Sequence, residues 1–172
     1  MNSDALIRRL SGLPAALEPL LRSITPNEAE WKPPSGAWSI LEIVNHLADE
    51  EVDDFRRRLD LTLLSPGEPW PPIDPEAWAR ERRYNERELR ESAARFLTER
   101  RKSLAWLVGL GDVDWTKAHR HPKFGPISAG TLLGSWVAHD ALHLRQIAKR
   151  LYELSAVDAG PHPIEYAGAW GA

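Results

Sequence analysis

The chain has no cysteine among its 172 residues. That absence excludes disulfide scaffolds, cysteine-based zinc fingers, iron–sulfur clusters and any thiol nucleophile of its own. It fits a reducing compartment, and the expected location is the cytoplasm. No apolar run approaches the roughly 18 residues of a membrane span. Met1-Asn2-Ser3-Asp4 has no basic stretch followed by an apolar core, so neither a signal peptide nor a membrane partner is expected. An excess of positive charge is missing too. Lys and Arg number 22 against 25 Asp and Glu, and the pI is 6.1, which gives no footprint for binding nucleic acid.

What is present is helical periodicity. The length suits one domain with a substantial apolar core. Leu6, Ile7, Leu10, Leu13, Leu17, Leu20, Leu21 and Ile24 recur at helical spacing, predicting a first helix over Asp4–Ile24 with strain near Pro14. Ser39-Ile40-Leu41-Glu42 reads as a capping box opening a second helix that Ser65-Pro66-Gly67 ends. A charged helical region is expected over Glu76–Leu107, interrupted near Asn85, and a fourth helix over Ser128–Leu154. Asp112–Gly125 reads as irregular. Four helices without a notable alternating pattern predict an all-α four-helix bundle over 1–154, followed by an extended or partly disordered tail over 155–172. The connectors before the second and fourth helices are too long for a minimal up-down design, so at least one crossing of the bundle is expected.

Six histidines provide the chemistry. His139 and His143 stand four apart and share a helix face with Leu132, Trp136 and Ile147, so both point toward the core. His46 shares the inward side of the second helix with Ile43 and Glu50. Core-facing imidazoles on two helices are what a metal site in a bundle requires, because its ligands must converge from facing rods. Three neutral imidazoles would hold a divalent ion and leave positions open for water or substrate. Buried histidines bonded separately to carbonyls and carboxylates would give the same pattern. Glu50, one turn after His46, is the candidate catalytic residue; a fourth ligand or a support for His46 are its other readings. Asp49 and Asp140 turn away from the histidine face and read as surface residues. Gln146 is placed to line a pocket, His119 and His121 to shape the turn before the fourth helix, and His162 to be exposed.

Two stretches carry a family resemblance. Trp38–Glu50 (WSILEIVNHLADE) resembles the second-helix signature of the DinB-like, or YfiT-like, metalloenzyme superfamily. His121–Ile127 (HPKFGPI), followed by Leu132–Ile147 (LLGSWVAHDALHLRQI), is similar to its fourth-helix signature. The likeness covers Leu6–Leu154. It implies a bundle of up-down-down-up arrangement and a divalent ion held by His46, His139 and His143. Nickel or zinc is the first expectation for that ion, iron or manganese the next, with water completing the shell. It also implies homodimers. Characterised relatives include bacillithiol-dependent transferases, mycothiol-dependent isomerases and ergothioneine-forming sulfoxide synthases. Arg145, two residues after His143, departs from the last group, which has an acidic residue there.

The first functional expectation is therefore a metal-dependent transferase acting on a low-molecular-weight thiol and an electrophile. Coordination to a divalent ion deprotonates a thiol, supplying the nucleophile that a cysteine-free chain lacks. A metal-dependent hydrolase using water is the alternative. A non-catalytic, metal-stabilised module for stress response or dimerisation is the reading from another class, and the residues leave open whether the protein is an enzyme.

Overall fold

The computed structural model describes residues Met1–Gly171. Ala172, the last residue of the expected tail, lies outside the described residues.

The first rod is made of two helices. Asn2 accepts from the Ala5 N–H and caps α1 (Ser3–Leu10); after a break at Ser11 the chain resumes as α2 (Gly12–Ser23). Pro14 lies four residues beyond Leu10 and has no N–H to donate to the Leu10 carbonyl. That freed carbonyl accepts from Arg100 Nη1 at 2.8 Å. Proline thus sets up a tertiary contact. In the following connector, Thr25 and Glu28 cap the short α3 (Pro26–Glu30).

The second rod opens with the Ser39–Glu42 capping box on α4 (Ile40–Asp49). It then passes through one wide π turn, Glu50–Asp54, into α5 (Phe55–Leu64). The inward stripe Leu47, Glu51, Phe55, Leu59, Leu63 repeats every four residues, which drifts around an ordinary 3.6-residue helix. The π turn, closed by the Phe55 N–H on the Glu50 carbonyl, takes up that drift. Adjacent Glu50 and Glu51 both end up buried, facing different partners.

The expected helical region over Glu76–Leu107 is split. Asp74 caps α6 (Pro75–Glu81), a 3-10 turn covers Tyr84–Glu86, and the third rod, α7, spans Leu89–Gly109. The stretch expected to be irregular holds a small antiparallel hairpin. In it β1 (Ala118–His121) pairs with β2 (Gly125–Ser128), Ala118 opposite Ser128 and His121 opposite Gly125. Strands this short leave too few residues for a visible alternation. The hairpin turn is fixed by His121 Nδ1, which accepts from the Lys123 and Phe124 N–H groups, and by Gly125 at φ 73°, where a side chain would be strained. Ser128 caps the fourth rod, α8 (Ala129–Asp158), which ends four residues beyond the expected Leu154. Beyond it, Tyr152 Oη donates to the Gly168 carbonyl at 3.2 Å, beside a 3-10 turn at Glu165–Ala167.

Two apolar clusters reveal the rod directions. One collects Leu13, Leu17, Leu21, Ile43, Val44, Phe96 and Ile147; the other collects Leu10, Leu59, Leu63, Leu107, Leu133 and Trp136. The first and fourth rods run from the second cluster to the first, and the middle two run the opposite way. This is an up-down-down-up four-helix bundle. The first rod packs on the third and fourth, and so does the second, so rods one and two lie diagonally across the core. The connectors leading into α4 and α8 therefore both cross the bundle.

Between the two clusters lies a charged layer. Arg100 is fully buried and donates two bonds to Asp140, at 2.6 and 2.8 Å, and one from Nε to Glu51 at 2.9 Å. Trp136 Nε1 also donates to Glu51, at 3.0 Å. Removing the guanidinium would leave two buried carboxylates without a counter-charge. Arg100→Ala is predicted to destabilise the fold by about 3–5 kcal/mol, read as a lowered urea midpoint, because an uncompensated buried charge costs more than the pair contributes.

Candidate metal centre

Rods two and four are neighbours, and their facing sides bring the three predicted ligands together. His46 Nε2 lies 3.3 Å from His139 Nε2, which lies 2.9 Å from His143 Nε2. One nitrogen from each ring falls within 4.8 Å of the other two. These separations bracket the roughly 3.3 Å expected between nitrogens about 2.0–2.1 Å from a tetrahedral ion.

The tautomers fit that use. His143 Nδ1 stands 2.8 Å from Gln146 Oε1, an acceptor, so Nδ1 carries the proton and Nε2 keeps its lone pair. His46 Nδ1 faces the Glu50 carboxyl at 3.6 Å, and neither atom has another partner. Burial, reinforced by His143, pulls His46 down to about 3. Burial likewise takes His139 to about 2, with His143, His46 and Arg100 adding to it. Burial takes His143 to about 4 even though Gln146 opposes the shift. All three rings are neutral at pH 7. Three nitrogens gathered at one point cannot satisfy one another, since a proton can bridge only one pair. A cation is the partner that suits all three lone pairs.

The cluster opens on a cavity of about 910 Å³. Trp38 walls one side, its ring 4.9 Å from that of His46, and Phe55 backs His139 at 5.1 Å. Glu50 lines the cavity but stands at the Nδ1 edge of His46, the edge turned away from the convergent nitrogens. Burial, with Asp54 nearby, pushes the Glu50 carboxyl up to about 9. No fourth His, Cys, Asp or Glu joins the three imidazoles among the described residues.

Other candidate residues fall elsewhere. Asp49 and Asp140 do turn away from the imidazoles, but both are buried. Asp49 accepts from Arg82 at 2.5 Å and also from Arg95 and Tyr84, while Asp140 pairs with Arg100. Helical spacing says which way a residue turns, and here arginines on neighbouring elements cover what reads as surface. His119 stacks on Trp70 with centroids 4.4 Å apart, and His121 holds the hairpin turn; both lie outside the cavity. His162 is exposed. Basic side chains not expected from the sequence also line the cavity, among them Lys32, Arg80 and Arg150. The signal for Arg150 was present, since 139, 143, 146 and 150 follow one face of a helix.

Fold and site together define a four-helix bundle with an open three-histidine candidate metal centre. The chain belongs to the DinB superfamily, whose family profile matches residues 9–147. It is 28% identical over 142 residues to "Putative metal-dependent hydrolase OB0782" of Oceanobacillus iheyensis, covering 82% of this chain and 81% of that protein. It is 26% identical over 150 residues to "Putative metal-dependent hydrolase YfiT" of Bacillus subtilis, covering 86% and 83%. The solved structure of Bacillus subtilis YfiT, described as "a probable metal-dependent hydrolase with an unusual four-helix bundle topology", superposes with a TM-score of 0.78. That match has 23% identity and spans 89% of this chain and 87% of that one.

The neutral rings fix a pH dependence. In the unfolded chain each imidazole titrates near its ordinary value of about 6.5, whereas the folded chain refuses the proton until about pH 4 or below. The unfolded state therefore binds more protons in that window. The imidazoles' contribution to the stability of the metal-free protein is predicted to be full above pH 6.5 and to fall as pH drops toward 4, by up to about 1.4 kcal/mol per pH unit per imidazole. Glu50 has the opposite sign: its contribution grows as pH falls from about 9 toward its ordinary value near 4.5. It cancels one imidazole's slope below pH 6.5 and acts alone above it, so the net change from pH 7.5 to pH 5 is a smaller loss. Urea midpoints of metal-free protein at pH 7.5 and pH 5 check this, and equal midpoints would contradict it.

Proposed function

We propose that the protein is a metal-dependent enzyme that activates the thiol of a small molecule and transfers it to an electrophile. The observation that carries this reading is the convergence of three neutral imidazoles, without a fourth protein ligand among the described residues, at the wall of a wide cavity. A closed structural site would use four protein ligands. His46, His139 and His143 would hold the ion, which when bound supplies Lewis acidity that lowers the pKa of a coordinated thiol or water.

The remaining work falls to this chain's own side chains. Gln146 fixes the His143 ring through Nδ1, and Trp38 and Phe55 restrict the tilt of His46 and His139. Burial holds the Glu50 carboxyl protonated at neutral pH; once ionised beside a bound cation, that same burial would make it a strong enough base to take the proton that a nucleophile in the cavity loses. The sulfur then bonds to the electrophilic carbon, and the leaving group departs with its electron pair. A cavity of about 910 Å³ lies at the upper end of ordinary small-molecule pockets, room enough for a thiol and a second reactant.

Hydrolysis is the second reading, favoured by the names of the two relatives and by the carboxyl of Glu50 beside the centre. The two are separated by assaying zinc- or nickel-loaded protein with bacillithiol, mycothiol, glutathione or coenzyme A plus monochlorobimane, and in parallel with p-nitrophenyl esters without thiol. Thiol-dependent turnover is expected, with chloride released from the bimane. His143→Ala should lower it by at least about 100-fold, since even indirect partners of metal ligands cost 10–100-fold. Ester cleavage without thiol would transfer the assignment to hydrolysis. Turnover equal in wild type and His143→Ala would overturn both. Glu50→Gln is predicted to reduce turnover by about 100-fold, within the range for a lost general base, while zinc content stays near one per chain.

A further inference from the structure

The chain is acidic overall, yet the cavity at its candidate metal centre is basic. Lys32, Arg80, Arg145, Lys149 and Arg150 line it, against the carboxyls of Glu42, Glu50 and Glu76. Glu42 is committed already, accepting from Lys32 Nζ at 2.8 Å and from the Ser39 N–H at 2.9 Å. No ion pair engages Arg80, Arg145 or Lys149 among the described residues. A divalent ion on the imidazoles would make this cavity more positive still. Such a concentration of one sign in a concave site focuses the field on an oppositely charged ligand.

Arg150 is the unusual member. Its residue is only 4% exposed, and its Nη2 lies 2.9 Å from Glu153, but the buried Nε and Nη1 have no hydrogen-bond partner. Unpaired buried guanidinium donors are costly, and their cost is recovered when an anion meets them. Arg150 follows His143 by seven residues on the same helix face, roughly 10 Å along the axis. Arg145 and Lys149 are exposed on α8 and border the same cavity.

We propose that the end of this cavity remote from the imidazoles is an anion subsite, built on Arg150 and flanked by Arg145 and Lys149. It selects a substrate carrying a carboxylate or phosphate about two helical turns from the atom that reaches the histidines. This rests on the cavity being the substrate site of the proposed enzyme.

The test is calorimetric titration of zinc-loaded protein with succinate, inorganic phosphate and the neutral diamide succinamide, with zinc content measured on every sample. Succinate or phosphate should bind at least about tenfold more tightly than succinamide, and Arg150→Gln should remove that margin while zinc stays near one per chain. Arg150→Lys should restore part of it. The exposed double variant Arg145→Gln/Lys149→Gln, which disturbs no buried contact, should weaken anion binding about threefold and flatten its salt dependence. Tighter binding of succinate assigns the subsite to carboxylates, and tighter binding of phosphate assigns it to phosphates. Equal anion affinity in wild type and Arg150→Gln, or no saturable anion binding by the wild type, overturns the subsite. A zinc content far below one in the wild type would instead overturn the enzyme reading, while the Arg150 comparison would still decide the subsite.

Discussion

Burial keeps three imidazoles neutral and crowds their lone pairs onto one point, and a protein interior offers no inexpensive way to satisfy that arrangement by itself. The same bundle holds a contrasting case nearby. Arg100, Glu51 and Asp140 are as deeply buried, but each charge finds its opposite within hydrogen-bonding distance, and the Leu10 carbonyl takes another donor. One polar centre is closed with protein groups alone. The other is closed on its outer edges, by Gln146 behind His143 and Glu50 behind His46, and left wanting a cation in the middle. Asymmetry of this kind marks a candidate ligand set rather than a structural network.

Topology decides that the two centres can coexist. Because the first two rods lie diagonally across the core, the second rod is free to face the fourth directly, and His46 meets His139 and His143 without an intervening helix. The π turn then serves both centres. It begins at Glu50, which closes the last regular turn of α4 below His46, and its next residue, Glu51, turns to Arg100 and Trp136. In a uniform helix with this four-residue repeat, the stripe from Leu47 to Leu63 would wind away from the core. A wide turn beside the candidate site is thus a packing solution with a chemical consequence, in keeping with where such turns occur.

Much of this was legible in the sequence, for physical reasons that also explain what was missed. The rods and the histidine face follow from helical periodicity and caps, which depend on residues three or four apart. The spacing of His139 and His143 could put both on one face, and the second-helix signature pointed to His46, but only tertiary packing brings the two faces into register. The hairpin escaped notice because four-residue strands leave no pattern to see. The buried roles of Asp49 and Asp140 escaped because their arginine partners lie 33 to 46 residues away along the chain. Helical spacing gives an azimuth, and whether that azimuth meets water or another rod is a tertiary fact. Pro14 illustrates the same limit. Its break in the first helix could be foreseen, but not that Arg100 would take the freed carbonyl.

The lack of a fourth His, Cys, Asp or Glu beside the three imidazoles among the described residues follows from what surrounds them. The three imidazoles come from two rods, and the buried carboxylates of Glu51 and Asp140 are already held by Arg100. Glu50 approaches from the wrong edge of the His46 ring to complete the shell. The remaining cover consists of the connector bearing Lys32 and Trp38 and of α6 bearing Arg80, segments that contribute an aromatic wall and positive charge. Cationic side chains repel a metal ion and do not ligate it, so Lys32 and Arg80 add no ligand to the three imidazoles and favour anions on their side of the cavity. Openness at the centre and positive charge along the cavity therefore have separate sources: the first lies in the connector and α6 that cover the imidazoles, and the second is shared between those segments and the α8 face that carries Arg145, Lys149 and Arg150.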